Sequence, residues 1–523
     1  MSWTEEQAKG ALLLRDSSAS SMNGRARHNL GVAHEVIPRC SDRRCNMPGP
    51  AGKVADSLAA GFSLRAARHI CASQLPESMF DLSVGSKSVE LQSTSVGSFA
   101  IYPVSGLTQI RIHAGFDVRW VDVRPLAAGV RATVSANHRD VSFSTADATP
   151  LTVEFNDDLG HVVHLFPYAA SVDEPNAARD HLRYFGPGRH DAGLIELQDG
   201  DAVYLAAGAW VKGAIRAKGV KDIAVSGHGV LDASGIEDGK MPYGGRSPIY
   251  LEQTQNAHIL GITILNSHDW TVYLRQSDNA HINGIKVLNP GSWNGDDGID
   301  LVSSSHVIVE NVFVRTNDDC VVIKNLADVD TSEITVRHSV FWNMPNGGNG
   351  VEIGFETRSH PVHDIRFEDL DMIHVERGSA ISIHNGDSAA VKDVSYDDIR
   401  VEDVRRKLID FAIVYAPYGA DRPATEKKIR ERMDRGGTWD AALCYKSEEK
   451  AQLFSRRGTI RNVRVSRLRV LGGSLPYSVV AGVDAEHGVE GVILEDVEYQ
   501  GRKLADAAAL KLVVDNVSGV EIR

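Results

Sequence analysis

From about Phe80 the chain alternates apolar and polar positions in short runs divided by turn residues. The runs "GSFAIYPV", "IRIHAGFDVRWVDVRP", "VSFSTAD", "LTVEFND" and "VVHLFPY" carry the period of two that half-buried strands require. They predict a small antiparallel β-sandwich over residues 79–170. Residues 171–190 are expected to form a linker. Beyond them one pattern recurs: a polar residue, an aliphatic, alternation, then an Asn or Gly turn. It reads "VKDIAVSGHGVLD", "NAHILGITILNS", "NAHINGIKVLNP", "SSHVIVENVFVRTN", "TSEITVRHSVFWN" and on to "VSGVEIR" at the end. The matching aliphatics are Ile223, Ile259, Ile282, Val307, Ile334, Ile365, Val394, Val463, Val492 and Val520, with separations of 36, 23, 25, 27, 31, 29, 69, 29 and 28 residues. Fixed periods of this size signal stacked repeats. Coils of short β runs without intervening helix patterns predict an all-β chain whose residues 191–523 form a parallel β-helix. The 69-residue gap holds an insertion at about 405–457, with a charged helical stretch "RPATEKKIRERMDRGG". Such an insertion borders a binding face or decorates the surface.

Residues 1–78 are rich in Arg, Ala, Ser and Gly and lack this alternation, so they are expected to be a poorly ordered extension or a leader. The N-terminus lacks a basic segment followed by a full apolar one, which gives no recognisable signal peptide. Location is therefore read as cytoplasmic, with secretion left open. No run of 18 or more apolar residues predicts a membrane span. The net charge of −13 over 523 residues points away from nucleic acid and anionic membrane as partners. Five scattered cysteines do not make a disulfide framework, and Cys40 and Cys45 have no matching partners at zinc spacing.

The segment "GDDGIDLVSSSHVIVENVFVRTNDDC", Gly295 to Cys320, holds two clusters of acids. Asp297 and Asp319 are 22 residues apart, about one coil. Stacked strands lie about 4.8 Å apart, so the two should be vertical neighbours with Asp318 beside them. Like charges at that range raise at least one pKa. A protonated carboxyl next to an ionised one suits glycosidic cleavage, where an acid protonates the leaving oxygen and a base activates water. The same acids would also suit a calcium ion or sit in ordinary exposed turns.

The segment resembles the active-site region of the polygalacturonase-type glycoside hydrolases, family 28, whose pattern is Asn-Thr-Asp-Gly followed by an Asp-Asp pair. "VSGHGVLDASG" and "NSHDWTVYL" resemble that family's early coils, and the similarity spans roughly residues 200–404. The resemblance implies a right-handed, pectin-lyase-like parallel β-helix and an inverting hydrolase without metal or organic cofactor, acting on a poly- or oligosaccharide. Asp318 would be the general acid, with Asp297 and Asp319 holding and activating water. The sequence departs from the pattern in three places. Gly295 and Asp296 stand where the family has Asn and Thr. Asn349 replaces the histidine of a Gly-His-Gly turn. Ser382 and His384 align with the basic pair of Arg-Ile-Lys, which grips a galacturonate carboxylate. A buried carboxylate needs a charge-assisted donor, so altered sugar specificity is expected, unless Lys324 or Arg358 supplies the charge. A sandwich before a β-helix also resembles family 49, the dextranase and isopullulanase group, in architecture.

Glu352 and Glu356 flank the Asn349 coil and are candidate sugar ligands, with a Glu356–Arg358 surface pair as the alternative. His384 contacts sugar hydroxyls or is a turn residue. Trp270, Tyr273 and Trp293 either stack on sugar rings or pack. Tyr415 and Tyr418 could border the cleft, and His228 reads as a turn residue. Two other classes stay open: a non-catalytic carbohydrate-binding β-helix and a calcium-dependent polysaccharide lyase.

Overall fold

The computed structural model describes residues 79–523 apart from 147, 171–174, 176–179, 237–246, 292–294, 416–418, 421, 436–448, 450–451 and 454. Residues 1–78, Trp293, Tyr418 and part of the insertion therefore lie outside the described residues.

Two five-stranded sheets come first. One runs Lys87–Val89, Phe80–Val84, Thr108–Ala114, Asp140–Thr145 and Thr133–Val134, and all its pairs are antiparallel. The other runs Gln92–Thr94, Gly97–Val104, Asp158–Ala169, Leu151–Phe155 and Val121–Arg124. Its central pair, Gly97–Val104 against Asp158–Ala169, is parallel, where alternation alone predicted an antiparallel sandwich. Alternation sets which face of a strand is buried but says nothing of its direction. The inward positions, among them Leu82, Ile110, Ile112, Val153 and the stacked Phe80 and Phe155, are buried between the sheets.

From Leu182–Phe185 to Val517–Ile522 the chain forms one right-handed parallel β-helix, a 29-stranded sheet parallel throughout except where Glu498–Tyr499 pairs antiparallel with Arg502–Lys503. Each coil stacks residue on residue, and the inward positions form continuous aliphatic columns. One column reads Ile223, Ala257, Ala280, Val307, Ile334, Ile365, Val394, Val463, Val492 and Val520. The repeat series read from the sequence thus slips by two residues at Ile259 and Ile282, which stack on Val225 and under Val309. A slip of two keeps an aliphatic on the inner face, so the pattern cannot detect it. Each fully buried Val, Leu or Ile contributes about 1.5–3 kcal/mol relative to exposure, and no coil can bury its own without a neighbour. The bends of the coils use left-handed backbone at recurring positions. Asn256, Asn279, His306, Asp364, Asp393 and Asn462 all sit at φ between 53° and 56°, which Asn and Asp tolerate better than most residues.

The sandwich docks on the early coils through Val96, Phe99 and Phe166 against Leu265, Leu288, Phe313 and Trp342. At the seam the Arg315 guanidinium lies 3.6 Å over the Trp342 ring and donates to Leu159 O at 2.9 Å. His228 stacks on Tyr168 at 3.9 Å, so this turn residue belongs to the seam.

Candidate active site

One face of the β-helix is built from the stacked strands Val272–Arg275, Ile299–Val302, Val321–Asn325, Val351–Thr357, Ser379–Asn385 and Lys407–Ile413. Their inward columns are apolar, for example Leu274, Leu301, Ile323, Ile353, Ile383 and Phe411. The polar columns between them carry the candidate chemistry. One reads Tyr273, Asp300, Val322, Glu352, Ser382 and Asp410. Just before the strands, the register of Ile299 on Val321 and Val351 on Ile381 continues back two residues. Asp297 therefore stacks on Asp319, Asp319 on Asn349 and Asn349 on Ser379. The bonds Gly298 N to Asp319 O (2.8 Å), Cys320 N to Asn349 O (3.0 Å) and Gly350 N to Ser379 O (2.9 Å) hold that stack.

Asp318 is the partly exposed acid of the cluster, whereas Asp296, Asp297, Asp300 and Asp319 are buried. Its Oδ2 accepts from Gly295 N at 2.9 Å and its Oδ1 from Asp319 N at 3.1 Å. Burial first, then the Asp297 charge, push its carboxyl up to about 7. Asp319 accepts two bonds on Oδ1, from Asn349 N (2.7 Å) and Asn349 Nδ2 (2.9 Å). Burial, with Asp318 and Asp297 nearby, holds its carboxyl well above the usual range. Asn349 thus orients an acid, and its Oδ1 accepts from Ser379 N at 2.9 Å.

Lys324 is almost wholly buried. Its ammonium donates to Asp297 Oδ2 and Asp300 Oδ1, both at 2.9 Å, and lies 3.6 Å from the Trp270 ring centre. Trp270 also packs edge-on against Tyr273 at 4.8 Å. The geometry makes Lys324 a partner of the carboxylates, where the sequence suggested a sugar ligand, and it commits one face of Trp270 to that cation.

Ser382 and His384 face acids. Ser382 Oγ donates to Glu352 and to Val351 O, the latter at 3.1 Å. His384 Nδ1 lies 3.0 Å from both Glu352 carboxylate oxygens, and its Nε2 lies 2.8 Å from Asp410 Oδ2. Phe355 stacks on the imidazole at 4.4 Å, and Lys407 pairs with Asp410. Glu352 is therefore fully buried as the hub of a network. Glu356 lies nearer Lys324, and burial pushes its carboxyl up against the pull of that ammonium. Arg358 donates to Leu326 O at 3.1 Å from the surface. Tyr415 is buried with the Arg457 guanidinium 5.9 Å from its ring, which is a packing environment.

Sequence reasoning missed Asp410 and Lys407 as members of the site. The signal was there: "KLIDFAI" begins 28 residues after the start of "SAISIHN", one coil on. Among the described residues no group of three or more His, Cys, Asp or Glu side chains is arranged to hold a metal ion.

Asp296 supplies one test of this electrostatic picture. It is fully buried, Oδ1 accepts from Asp318 N at 3.2 Å, and Oδ2 has no partner. Burial, then Asp318 and Asp297, push its carboxyl from 3.8 up to about 8. A raised acid binds its proton more tightly in the folded chain, so its contribution is complete below the unfolded pKa and is lost as pH rises through about 8. Asp296→Asn removes that titration. Its stability relative to the wild type should climb by up to about 1.4 kcal/mol per pH unit between roughly pH 4 and 8, then flatten. Denaturant unfolding over a pH series reads this directly, and a pH-independent difference would contradict it.

The comparisons with known proteins fit this site. Residues 202–429 match the family model of glycosyl hydrolases family 28. The matched segment contains every aspartate of the cluster. An endo-polygalacturonase of Pectobacterium carotovorum subsp. carotovorum is 23% identical over 176 residues, 34% of this chain and 42% of that protein. Endopolygalacturonase I of Aspergillus oryzae is 26% identical over 224 residues, 41% of this chain and 59% of that protein. The chain thus spans about half the length of these curated relatives. Dex49A from Penicillium minioluteum shares the fold, with a TM-score of 0.52 at 15% identity over 81% of this chain and 83% of that one.

Proposed function

We propose that this protein is a family-28-like glycoside hydrolase that cleaves a poly- or oligosaccharide by inverting single displacement, with an uncharged sugar at the cleavage subsite. The observation that carries the reading is the division of roles among adjacent carboxyls. Asp318 is reachable and holds its proton up to about pH 7, as a general acid for the leaving oxygen must. Asp297 is paired with an ammonium and suits the base. Asp319, one coil away and oriented by Asn349, helps hold the attacking water. Cleavage then transfers the Asp318 proton to the glycosidic oxygen while water, losing a proton to Asp297, adds to the anomeric carbon from the opposite face.

The specificity rests on Ser382 and His384. Their polar atoms are engaged by Glu352 and Asp410, so a uronate carboxylate arriving there meets acids. Each charge-assisted bond that a uronate lacks here is worth about 1.5–3 kcal/mol, roughly 10- to 100-fold in kcat/KM. The test is a panel of galacturonan, rhamnogalacturonan, α-glucans and fructans, read by reducing-sugar release and by absorbance of unsaturated product. Cleavage of a neutral glycan at least tenfold faster than galacturonan is expected. Preference for galacturonan would overturn the specificity, and unsaturated product would overturn hydrolysis in favour of a lyase.

A further inference from the structure

We infer that Lys324, backed by Asp300 and capped by Trp270, is a positioning residue that keeps Asp297 the charged base of the aspartate cluster. The inference rests on the hydrolase reading above. Three groups meet in one buried place: the Lys324 ammonium, with Asp297 Oδ2 and Asp300 Oδ1 each at 2.9 Å. Asp300 is fully buried, and its second oxygen finds no hydrogen-bond donor. Two carboxylates and one ammonium would leave a net negative charge out of water, which is costly. Burial, reinforced by Asp297, holds the Asp300 proton well above the usual carboxylate range against the pull of Lys324. Burial also works against the Lys324 charge, but Asp297 and Asp300 outweigh it and keep the ammonium. These two directions, with the 2.9 Å ion pair to Asp297, describe one neutral set: a protonated Asp300 beside a charged Lys324 that is paired with Asp297.

The remaining groups around this cation are accounted for. Trp270 covers it at 3.6 Å. Glu356 adds a more distant attraction, and the Tyr273 phenol lies beside Asp300 and Lys324. Asp296, Asp318, Asp319 and Glu356 are the other acids that feel the Asp297 charge. Lys324 thus supplies a positive charge in direct contact with Asp297 and Asp300, which sets these two acids apart from Asp318 and Asp319. Buried as it is, it acts on the reaction through Asp297 rather than on the sugar.

The test uses the full chain with Lys324→Met, Lys324→Arg and Asp300→Asn. Lys324→Met should lower kcat by about 10²-fold with KM within about twofold. The acid limb of its kcat–pH profile should move up by about one pH unit or more. Lys324→Arg keeps the charge and should return the limb to its wild-type place. Asp300→Asn should leave the limb there too, because the residue it replaces is already neutral. A Lys324→Met enzyme with wild-type kcat and limb overturns the inference. So does one that raises KM alone, which would make Lys324 a sugar ligand. Should Lys324→Met fail to fold, a shifted limb in Asp300→Asn overturns the neutral set by itself. Should the wild type cleave no glycan, the hydrolase reading fails separately. A carbon-13 carboxyl titration of aspartate-labelled protein then decides: the Asp297 signal, assigned by its loss in Asp297→Asn, must titrate at higher pH in Lys324→Met, and an unchanged midpoint overturns the inference.

Discussion

Asp318→Asn should leave a folded protein whose kcat is lower by about 10²–10⁴-fold, the usual worth of a positioned general acid. Asparagine keeps the shape but has one oxygen where the carboxyl offers two, so it keeps only one of the bonds from Gly295 N and Asp319 N, and its amide is no acid for the leaving oxygen. The wild type should lose activity as pH rises through about 7, because the Asp318 carboxyl ionises there. The residual rate of the variant should lack that limb. Steady-state kinetics across pH, with circular dichroism to establish folding, reads both. A variant that keeps more than about a tenth of wild-type kcat would move the acid role to another carboxyl.

Gly348→Ala should cost both stability and activity although residue 348 has no side chain to lose. A Cβ there would lie 2.1 Å from Asp318 C and 2.3 Å from Asp319 N. Those are backbone atoms of the Asp318–Asp319 turn and cannot swing aside. The residue also sits at φ +63°, where a side chain is strained. Overpacking and the left-handed penalty together predict a loss of roughly 2–4 kcal/mol. Displacing Asp318 and Asp319 by even about 1 Å should cut kcat by about 10²-fold. Denaturant unfolding and kcat, measured on the same preparation, test the two effects. Wild-type values for both would mean that the turn has slack the close approach denies.

The coil rhythm was legible because each coil must turn several apolar columns inward, as "VHDIRFEDLDMIHV" does with Val362, Ile365, Phe367, Leu370, Met372 and Val375. Its phase was not, since Ile259 and Val307 stand in different columns that look alike in sequence. Asp297 above Asp319 followed from one number, the 22-residue interval, because stacking turns an interval into a contact. The environment of Lys324 did not follow. Its column neighbour Val302 is apolar, and the ion pairs come from Asp297 and Asp300 reaching across columns. Side-chain reach of that kind leaves no period. Glu352 reads as a candidate sugar ligand in "GVEIGFETR" and is instead the buried hub between Ser382, its column neighbour, and His384. The parallel pair in the sandwich escaped for a different reason, since strand direction depends on the connection and not on the strand.

The most direct test of the central claim is a proton NMR time course of the first glycan in the panel that the enzyme cleaves. It reports the bond broken and the anomer released in one measurement. We predict a new reducing end whose anomeric configuration is opposite to that of the bond cut, appearing before mutarotation mixes the two forms. Retention of configuration would contradict single displacement by the Asp318, Asp297 and Asp319 set, and vinylic proton signals would contradict hydrolysis itself.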